Sequence, residues 1–432
     1  MQEVRILCMF DYGHKVNTGF SNQSKQIINS LKKNYLKNNI IPHFDIIASN
    51  YAPDYDFEKN KIIGEPFYQE DEYTTVFSAV YFDGVKYAHL TFEQRGLFGH
   101  HIFCELLEDA PYSYDYIFIL NDIPVILPMI DELKRIKSEL KKQNKKQFKT
   151  VFYFPIDGNL DKSIDYSQLS FFNKLITCTN YGKNKLIKLN NQLNTKISVI
   201  SHSINTNLFY PINNKEEINS FKINYFGELN NNKLIIGIIN RNQHRKDIPT
   251  ALFAFLEAWK LCDKKIFLYL HLQNDDPMGW NIRKILSQTE LVEGVDYSFP
   301  TKHTREISDK TLNFIYNSID LYFSTTLGEG FGLTAIEAMA TKTLCLIPKN
   351  TSYIELGNGR TLQYDMTHDV CFREDNTIRE QGDYYEIADI IHKVYKNGKI
   401  TFVHLVEKSY NFVKTISTDA ISTVWVDLFK KL

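Results

Sequence analysis

The stretch TTLGEGFGLTAIEAMA (325–340) sets two carboxylates, Glu329 and Glu337, around a glycine pair inside a run of apolar and small residues. It overlaps DLYFSTT (320–326), which reads as a buried strand, so the chain passes from strand through a Gly-rich turn into a helix. With the helix starting at Gly332 or Leu333, 100° per residue puts Leu333, Ile336, Met339 and Ala340 on one arc, with Glu337 about 40° from Leu333. The Glu337 carboxylate then sits at the edge of the buried face, where it needs a salt bridge or a polar ligand. The glycines let backbone approach closely and aim the first helical N–H groups at an anion such as a phosphate. Glu329 precedes the helix and projects from the turn toward the same place.

Upstream, IIGIINRNQHRKDIPTALFAF (235–255) runs from a buried strand into a polar turn holding Arg241 and Lys246, and a helix opens near Asp247. Two cations after the first strand of a doubly wound domain stand where such domains hold phosphate. Working outward, VRILCMF (4–10), YDYIFIL (114–120), TVFYFPI (150–156), KLITCT (174–179) and KISVIS (196–201) read as strands of one α/β series. KLIIGII (233–239), KIFLYLHL (265–272), DLYFSTT (320–326) and KTLCLIP (342–348) form a second. Residues 21–37 carry Ile27, Leu31 and Tyr35 on one helical stripe. The polar segment YPINNKEEINSF (210–221) divides the series, giving domains at 1–210 and 221–411, with C-terminal helices near 412–432 placed back on the first. The expected fold is α/β: two Rossmann-like doubly wound parallel-sheet domains facing across a cleft, with ligand at the strand C-termini.

These segments resemble the retaining glycosyltransferases of family 4, whose signature is commonly EGFGLxxxEAMA and which carry an Arg and a Lys five apart after the first strand of the C-terminal domain. The chain has EGFGLTAIEAMA, and Arg241 and Lys246 have that spacing. LNFIYNSIDLYFSTT and VISHSINTNLFYP (199–211) resemble flanking segments of the family. The resemblance is strong over the C-terminal domain and thin over the N-terminal one. It implies the GT-B fold and transfer of a sugar from a nucleotide-sugar donor, a UDP- or GDP-sugar, to a hydroxyl of a glycan, lipid-linked or protein-linked acceptor, with no cofactor required. By the same resemblance Glu337 binds the ribose hydroxyls and Glu329 the donor sugar. Arg241 and Lys246 clamp the diphosphate, aided by the amides of Phe331, Gly332 and Leu333.

The N-terminal domain departs from the pattern. Its loop DYGHKVNTGFSNQS (11–24) has one glycine, Gly19, at the turn where many members have two. Asp157, in FYFPIDG (152–158), stands loosely where many members have a histidine, and could orient or deprotonate an acceptor hydroxyl; an Asp-Gly turn is the plain alternative. His202 matches a family histidine and is otherwise a structural histidine. The loop 299–308, with Thr301 as a candidate substrate contact, carries no readable code for base or sugar.

Composition narrows the remaining classes. A formal net charge of -1 gives no field for a general nucleic-acid binder. Six scattered cysteines without a CxxC pair suggest neither zinc nor a disulfide framework, and reduced thiols point to a cytoplasmic protein. No apolar run approaches the ~20 residues of a membrane span. GHHIFCELLED (99–109) and DYD (54–56) mimic metal-binding patterns, but the first lacks a second ligand set and the second is unnecessary beside Arg241 and Lys246, so no metal is expected. The basic run 131–149, eight Lys/Arg against three Asp/Glu, is either a solvated helix face or a peripheral contact with an anionic membrane. A catalytically silent sugar-nucleotide or glycan binder, and an epimerase or hydrolase of the same architecture, stand as alternatives. A Rossmann oxidoreductase does not, since no GxGxxG follows the first strand of either domain.

Overall fold

The computed structural model describes residues 2–13, 19–49, 55–56, 61–62, 67–78, 99–274, 276, 279–300, 302–304, 307–372, 374 and 376–432. The chain divides into two compact units, Met1–Pro155 with Lys162–Ser203 and Asp419–Leu432, and Ile156–Asp161 with Ile204–Thr418. The α/β class with parallel-dominated sheets is as expected.

Strands of the first unit are β1 (Gln2–Phe10), β2 (Ile40–Ala48), a short pair β3 (Tyr55–Asp56) and β4 (Lys61–Ile62), then β5 (Phe67–Asp71), β6 (Thr74–Ser78), β7 (Tyr116–Leu120), β8 (Lys149–Phe154), β9 (Lys174–Thr177) and β10 (Ile197–Val199). Its eight-stranded sheet runs β10-β9-β8-β7-β1-β2-β6-β5, parallel throughout except for the antiparallel edge strand β5. β1 lies in the middle, and Ile6 to Phe10 are all buried, the continuous apolar run of a sheet covered on both faces. The helix Gly19–Lys37 buries Ile27, Ile28 and Leu31, close to the stripe read from sequence. The helix Thr418–Lys431 brings Trp425 edge-on to Tyr153 at 4.9 Å, and Phe429 to Tyr116 at 5.3 Å. β2, β5 and β6 were not legible as strands, because Pro42, His43 and Asp45 interrupt the first and polar residues alternate through the others.

The second unit holds β11 (Leu234–Ile239), β12 (Ile266–His271), β13 (Tyr297–Ser298), β14 (Leu321–Phe323), β15 (Leu344–Pro348) and β16 (Leu362–Tyr364), followed by an antiparallel hairpin, β17 (Met366–Phe372) and β18 (Thr377–Gly382). The six-stranded sheet is wholly parallel in the order β13-β12-β11-β14-β15-β16. That is the doubly wound order 3-2-1-4-5-6, whose chain reversal opens a crevice beyond the C-terminal ends of β11 and β14. Asp320 pins these two strands at their other end: its carboxylate accepts from the Ile235 N–H at 3.0 Å and from Lys399 at 2.7 Å. The helix Ile248–Leu261 buries Ala251, Ala254, Phe255 and Ala258, and with the helix Tyr384–Asn397, which buries Ile387, Ile391 and Val394, closes the core on the sheet.

Candidate active site

The turn after β11 and the Gly-rich turn after β14 meet at this reversal. Residues His244–Lys246 form a tight 3-10 turn ending at Asp247, which takes a left-handed φ of 49° and starts the helix Ile248–Leu261. Thr325 Oγ1 donates to the Asp247 carbonyl at 2.9 Å, and the Leu327 N–H donates to the Arg245 carbonyl at 2.8 Å, so one side-chain and one backbone donor join the two turns.

Lys246 and Glu329 form an ion pair with both side chains buried, 8% and 7% exposed. Arg245 Nη1 reaches the other Glu329 oxygen at 3.2 Å and donates to the Gly328 carbonyl at 2.8 Å. Burial alone would push the Glu329 carboxyl up, but the Lys246 and Arg245 charges outweigh it and hold it below the usual carboxylate range. Burial and the neighbouring Arg245 lower Lys246, against the opposing pull of Glu329. Arg245 and Lys246 thus share the Glu329 carboxylate.

The helix Leu333–Ala340 begins where the sequence placed it, with Gly332 as its N-cap at a φ of 96°. A Cβ at Gly332 would run into the Tyr353 ring, so both backbone angle and space demand glycine there. The loop is held from below: Thr351 Oγ1 accepts from the Glu329 N–H at 2.9 Å, Asn350 donates to the Thr326 carbonyl at 2.9 Å, and Ser352 Oγ donates to the Phe331 carbonyl at 3.0 Å. Phe331 is buried, and Leu333 opens the first turn, whose leading N–H groups have no intrahelical carbonyl to bond. Glu337 is half-buried one turn on and accepts a hydrogen bond from Tyr316 at 2.7 Å; burial pushes its carboxyl up to about 7.

Arg241 stands apart from this cluster. Its Nε donates to Asp276 at 2.8 Å and its side chain is 54% exposed. The cation beside Glu329 that sequence reasoning missed is Arg245; no periodicity marks it, because it sits in an irregular turn. Asp157 belongs to the same unit as these residues, in the segment Ile156–Asp161. Its carboxylate lies 3.8 Å from Arg245 Nε and 3.7 Å from Arg379 Nη2. A Cβ on Gly328 would strike the Asp157 carbonyl oxygen, so this glycine allows the segment to approach.

The remaining candidates lie elsewhere. Gly19 is the exposed first residue of its helix. His202 is buried in the first unit, its Nδ1 bonded to the Tyr153 hydroxyl at 2.5 Å, and burial lowers it to about 3. Thr301 and Asp54 lie outside the described residues, as do the side chains of Tyr55 and Asp56. Among the described residues no group of His, Cys, Asp and Glu is arranged to hold a metal, and no helix is long and apolar enough to cross a membrane. Five of the six cysteines, Cys8, Cys104, Cys178, Cys262 and Cys345, are buried and Cys371 is exposed. In the basic run, Lys134, Arg135 and Lys142 pair with Asp131, Glu132 and Glu139 one helical turn away, and Lys146 pairs with Asp115.

No protein-family model and no curated protein sequence matches the chain. Solved structures do, over its whole length. Anabaena Alr3699/HepE in complex with UDP and glucose superposes with a TM-score of 0.63 at 14% identity, covering 99% of this chain and 100% of that one. Sucrose-phosphate synthase from Thermosynechococcus elongatus gives 0.66 at 14% identity, covering 99% and 98%. A glycosyltransferase from Rickettsia africae gives 0.66 at 15% identity, covering 100% and 99%. The fold is GT-B. At these identities GT-B kinship concerns the architecture, two Rossmann-like domains, and the chemistry rests on the residues of the site.

Proposed function

We propose that the protein is a retaining glycosyltransferase that moves a sugar from a nucleotide-sugar donor, a UDP- or GDP-sugar, to a hydroxyl of a glycan, lipid-linked or protein-linked acceptor. The observation that carries this reading is the Arg245–Glu329–Lys246 cluster, its Glu329–Lys246 pair buried, at the chain reversal beside the N-terminus of the helix Leu333–Ala340. In this reading Lys246 clamps the diphosphate together with Arg241 and Arg245, while Glu329 holds hydroxyls of the donor sugar and Glu337 the ribose. The amides of Phe331, Gly332 and Leu333 assist at the helix end, whose dipole adds about 0.5–1 kcal/mol. HepE, a neighbour in fold, binds UDP-glucose, which supports a nucleotide-sugar donor.

When the bond to the nucleotide breaks, negative charge grows on the leaving diphosphate and positive charge on the sugar ring. Fixed cations near the phosphates stabilise that transition state, and losing one such group costs about 3–4 kcal/mol. The leaving phosphate takes the acceptor's proton on the face it departs from, so retention needs no enzymatic nucleophile and no added cofactor. Asp157, His202, Gly19 and Thr301 are assigned to substrate contacts, with Asp157 orienting a reacting hydroxyl. The reduced thiols suit a cytoplasmic setting. Peripheral contact with an anionic membrane would run through 131–149, where four of the cations already face carboxylates.

A thermal-shift screen of sugar nucleotides, followed by analysis of the products, tests the proposal. Stabilisation by one donor and glycosylation of an added acceptor are expected. Stabilisation without turnover would make the protein a silent binder, free sugar alone a hydrolase, and an isomerised donor an epimerase. Salt-sensitive binding to anionic vesicles is expected if the acceptor is lipid-linked, and its absence would point to a soluble glycan or protein.

A further inference from the structure

The hairpin β17–β18 reverses the usual pattern of a strand laid on a protein surface. Along β18 the inward positions are Thr377, Arg379 and Gln381, while Ile378 between them is 59% exposed. A strand packed for burial alone puts its apolar residues inward. Here the inward row is polar, and its partners are the loops that build the candidate site. Gln381 Nε2 donates to Asp247 Oδ2 at 2.8 Å and to Thr250 Oγ1 at 3.1 Å, fastening the end of the 240–247 turn. Glu374, at the hairpin's turn, meets His244 Nδ1 at 2.6 Å.

Arg379 is the centre of this row. Its side chain is 7% exposed, and its guanidinium lies 4.6 Å from the Phe372 ring centroid. One arm donates to the Asp157 carbonyl at 3.4 Å and another lies 3.7 Å from the Asp157 carboxylate, so the planar fork grips both backbone and side chain of one residue. A Cβ on Gly328 would come within 3.2 Å of the same guanidinium and one on Gly158 would touch it at 3.4 Å, so it lies between the 156–161 segment and the Glu329 turn. Asp157 in turn faces Arg245, and Arg245 faces Glu329, which also holds Lys246. The result is a row of alternating charges, Arg379, Asp157, Arg245, Glu329, Lys246, with three cations and two anions.

We propose that Arg379 is a positioning residue of this site: by fixing Asp157 against the Gly328–Glu329 turn, it sets the orientation in which Arg245 is presented to the donor diphosphate. The inference rests on the donor-site reading of Lys246 and Glu329 given above. In the middle of an alternating row each charge is oriented by its two neighbours, so removing the outermost cation frees Asp157 to swing toward Arg245 and withdraw that guanidinium from an incoming phosphate. A lysine at 379 keeps the charge but cannot hold carbonyl and carboxylate together.

Calorimetric titration of the full chain with UDP, and in parallel with GDP, tests this. R379Q should weaken binding of the nucleotide that the unmodified protein takes by roughly tenfold, and R379K should recover part of that loss, within the range of coupling between touching residues. In a D157N background R379Q should add less than about twofold, because Arg379 acts through Asp157. A merely structural role would instead give the same loss in both backgrounds, and that additivity would overturn the proposal, as would native affinity in R379Q. Should R379Q fail to fold, R379K with and without D157N discriminates in the same way: a smaller loss in D157N supports the proposal and an equal loss overturns it. K246A separates the two layers: wild-type affinity in K246A, or no binding of either nucleotide by the unmodified protein, would defeat the donor-site reading itself. Loss in K246A with no effect of Arg379 would defeat the present inference alone.

Discussion

Lys246 and Glu329 stand 83 positions apart in sequence and meet as a buried ion pair at the point where the second sheet reverses direction. Breaking a buried pair by deleting one partner leaves an uncompensated charge and costs about 3–5 kcal/mol of stability. Glu329→Ala is therefore expected to lower the denaturant midpoint and, independently, to cut donor turnover a hundredfold or more. Glu329→Ala turning over at the native rate with every accepted donor would remove it from the site.

The two arginines of the 240–247 turn separate the spacing argument from the geometry. Arg245 touches Glu329, whereas Arg241 is held by Asp276 at the surface. Arg245→Ala should reduce kcat/KM for the donor by more than Arg241→Ala, the former approaching the hundredfold scale of a lost preorganised donor. The reverse ranking would mean that Arg241 leaves Asp276 when the donor arrives.

Glu337 gives the site a pH dependence. Its carboxyl, raised by burial to about 7 against the opposing hydrogen bond from Tyr316 and with a further push from Asp309, holds a proton in the folded chain that the unfolded chain releases near 4.5. The folded state thus binds more protons between those values, so stability falls as pH rises through that window and is flat above it. Ribose hydroxyls donate best to the ionised carboxylate, so nucleotide affinity should rise between about pH 6 and about pH 8. Titrating Glu337→Gln over the same range should show neither slope.

Gly332→Ala combines a left-handed φ with a collision against Tyr353. Strain of this kind costs roughly 1–3 kcal/mol, read from the denaturant midpoint. Since the helix end that would hold the diphosphate begins there, the surviving folded variant should also bind nucleotide less tightly.

Trp425→Ala tests the C-terminal helix of the first unit, where the indole packs among Phe118 and Tyr153. A loss of about 3–5 kcal/mol is expected from emptying such a position. Thermal melting is the measure, and a change of less than about 1 kcal/mol would show that the helix contributes little there.

Most of the second sheet was readable because its strands are short apolar runs set off by turn residues, and EGFGLTAIEAMA fixed the phase of the helix Leu333–Ala340 to within one residue. Glu329 and Lys246 were legible as charges directed at a ligand. That they partner each other was not, because a tertiary contact leaves no local period. Arg245 escaped for a related reason: a 3-10 turn of three residues has no face to read. Strand β18 escaped because its inward positions Thr377, Arg379 and Gln381 are polar, so the alternation that should have revealed it carries the opposite sign.

The division of the chain also bears on how it can be cut. The first unit is assembled from three pieces of chain and the second from two, and the six residues Ile156–Asp161 are the only part of the second to precede residue 204. A break after Ser203 would leave each fragment carrying a piece of its neighbour's fold, Asp157 on one and Trp425 on the other. Nicked protein should therefore migrate as one particle on gel filtration, and neither half expressed by itself should reproduce the melting of its unit.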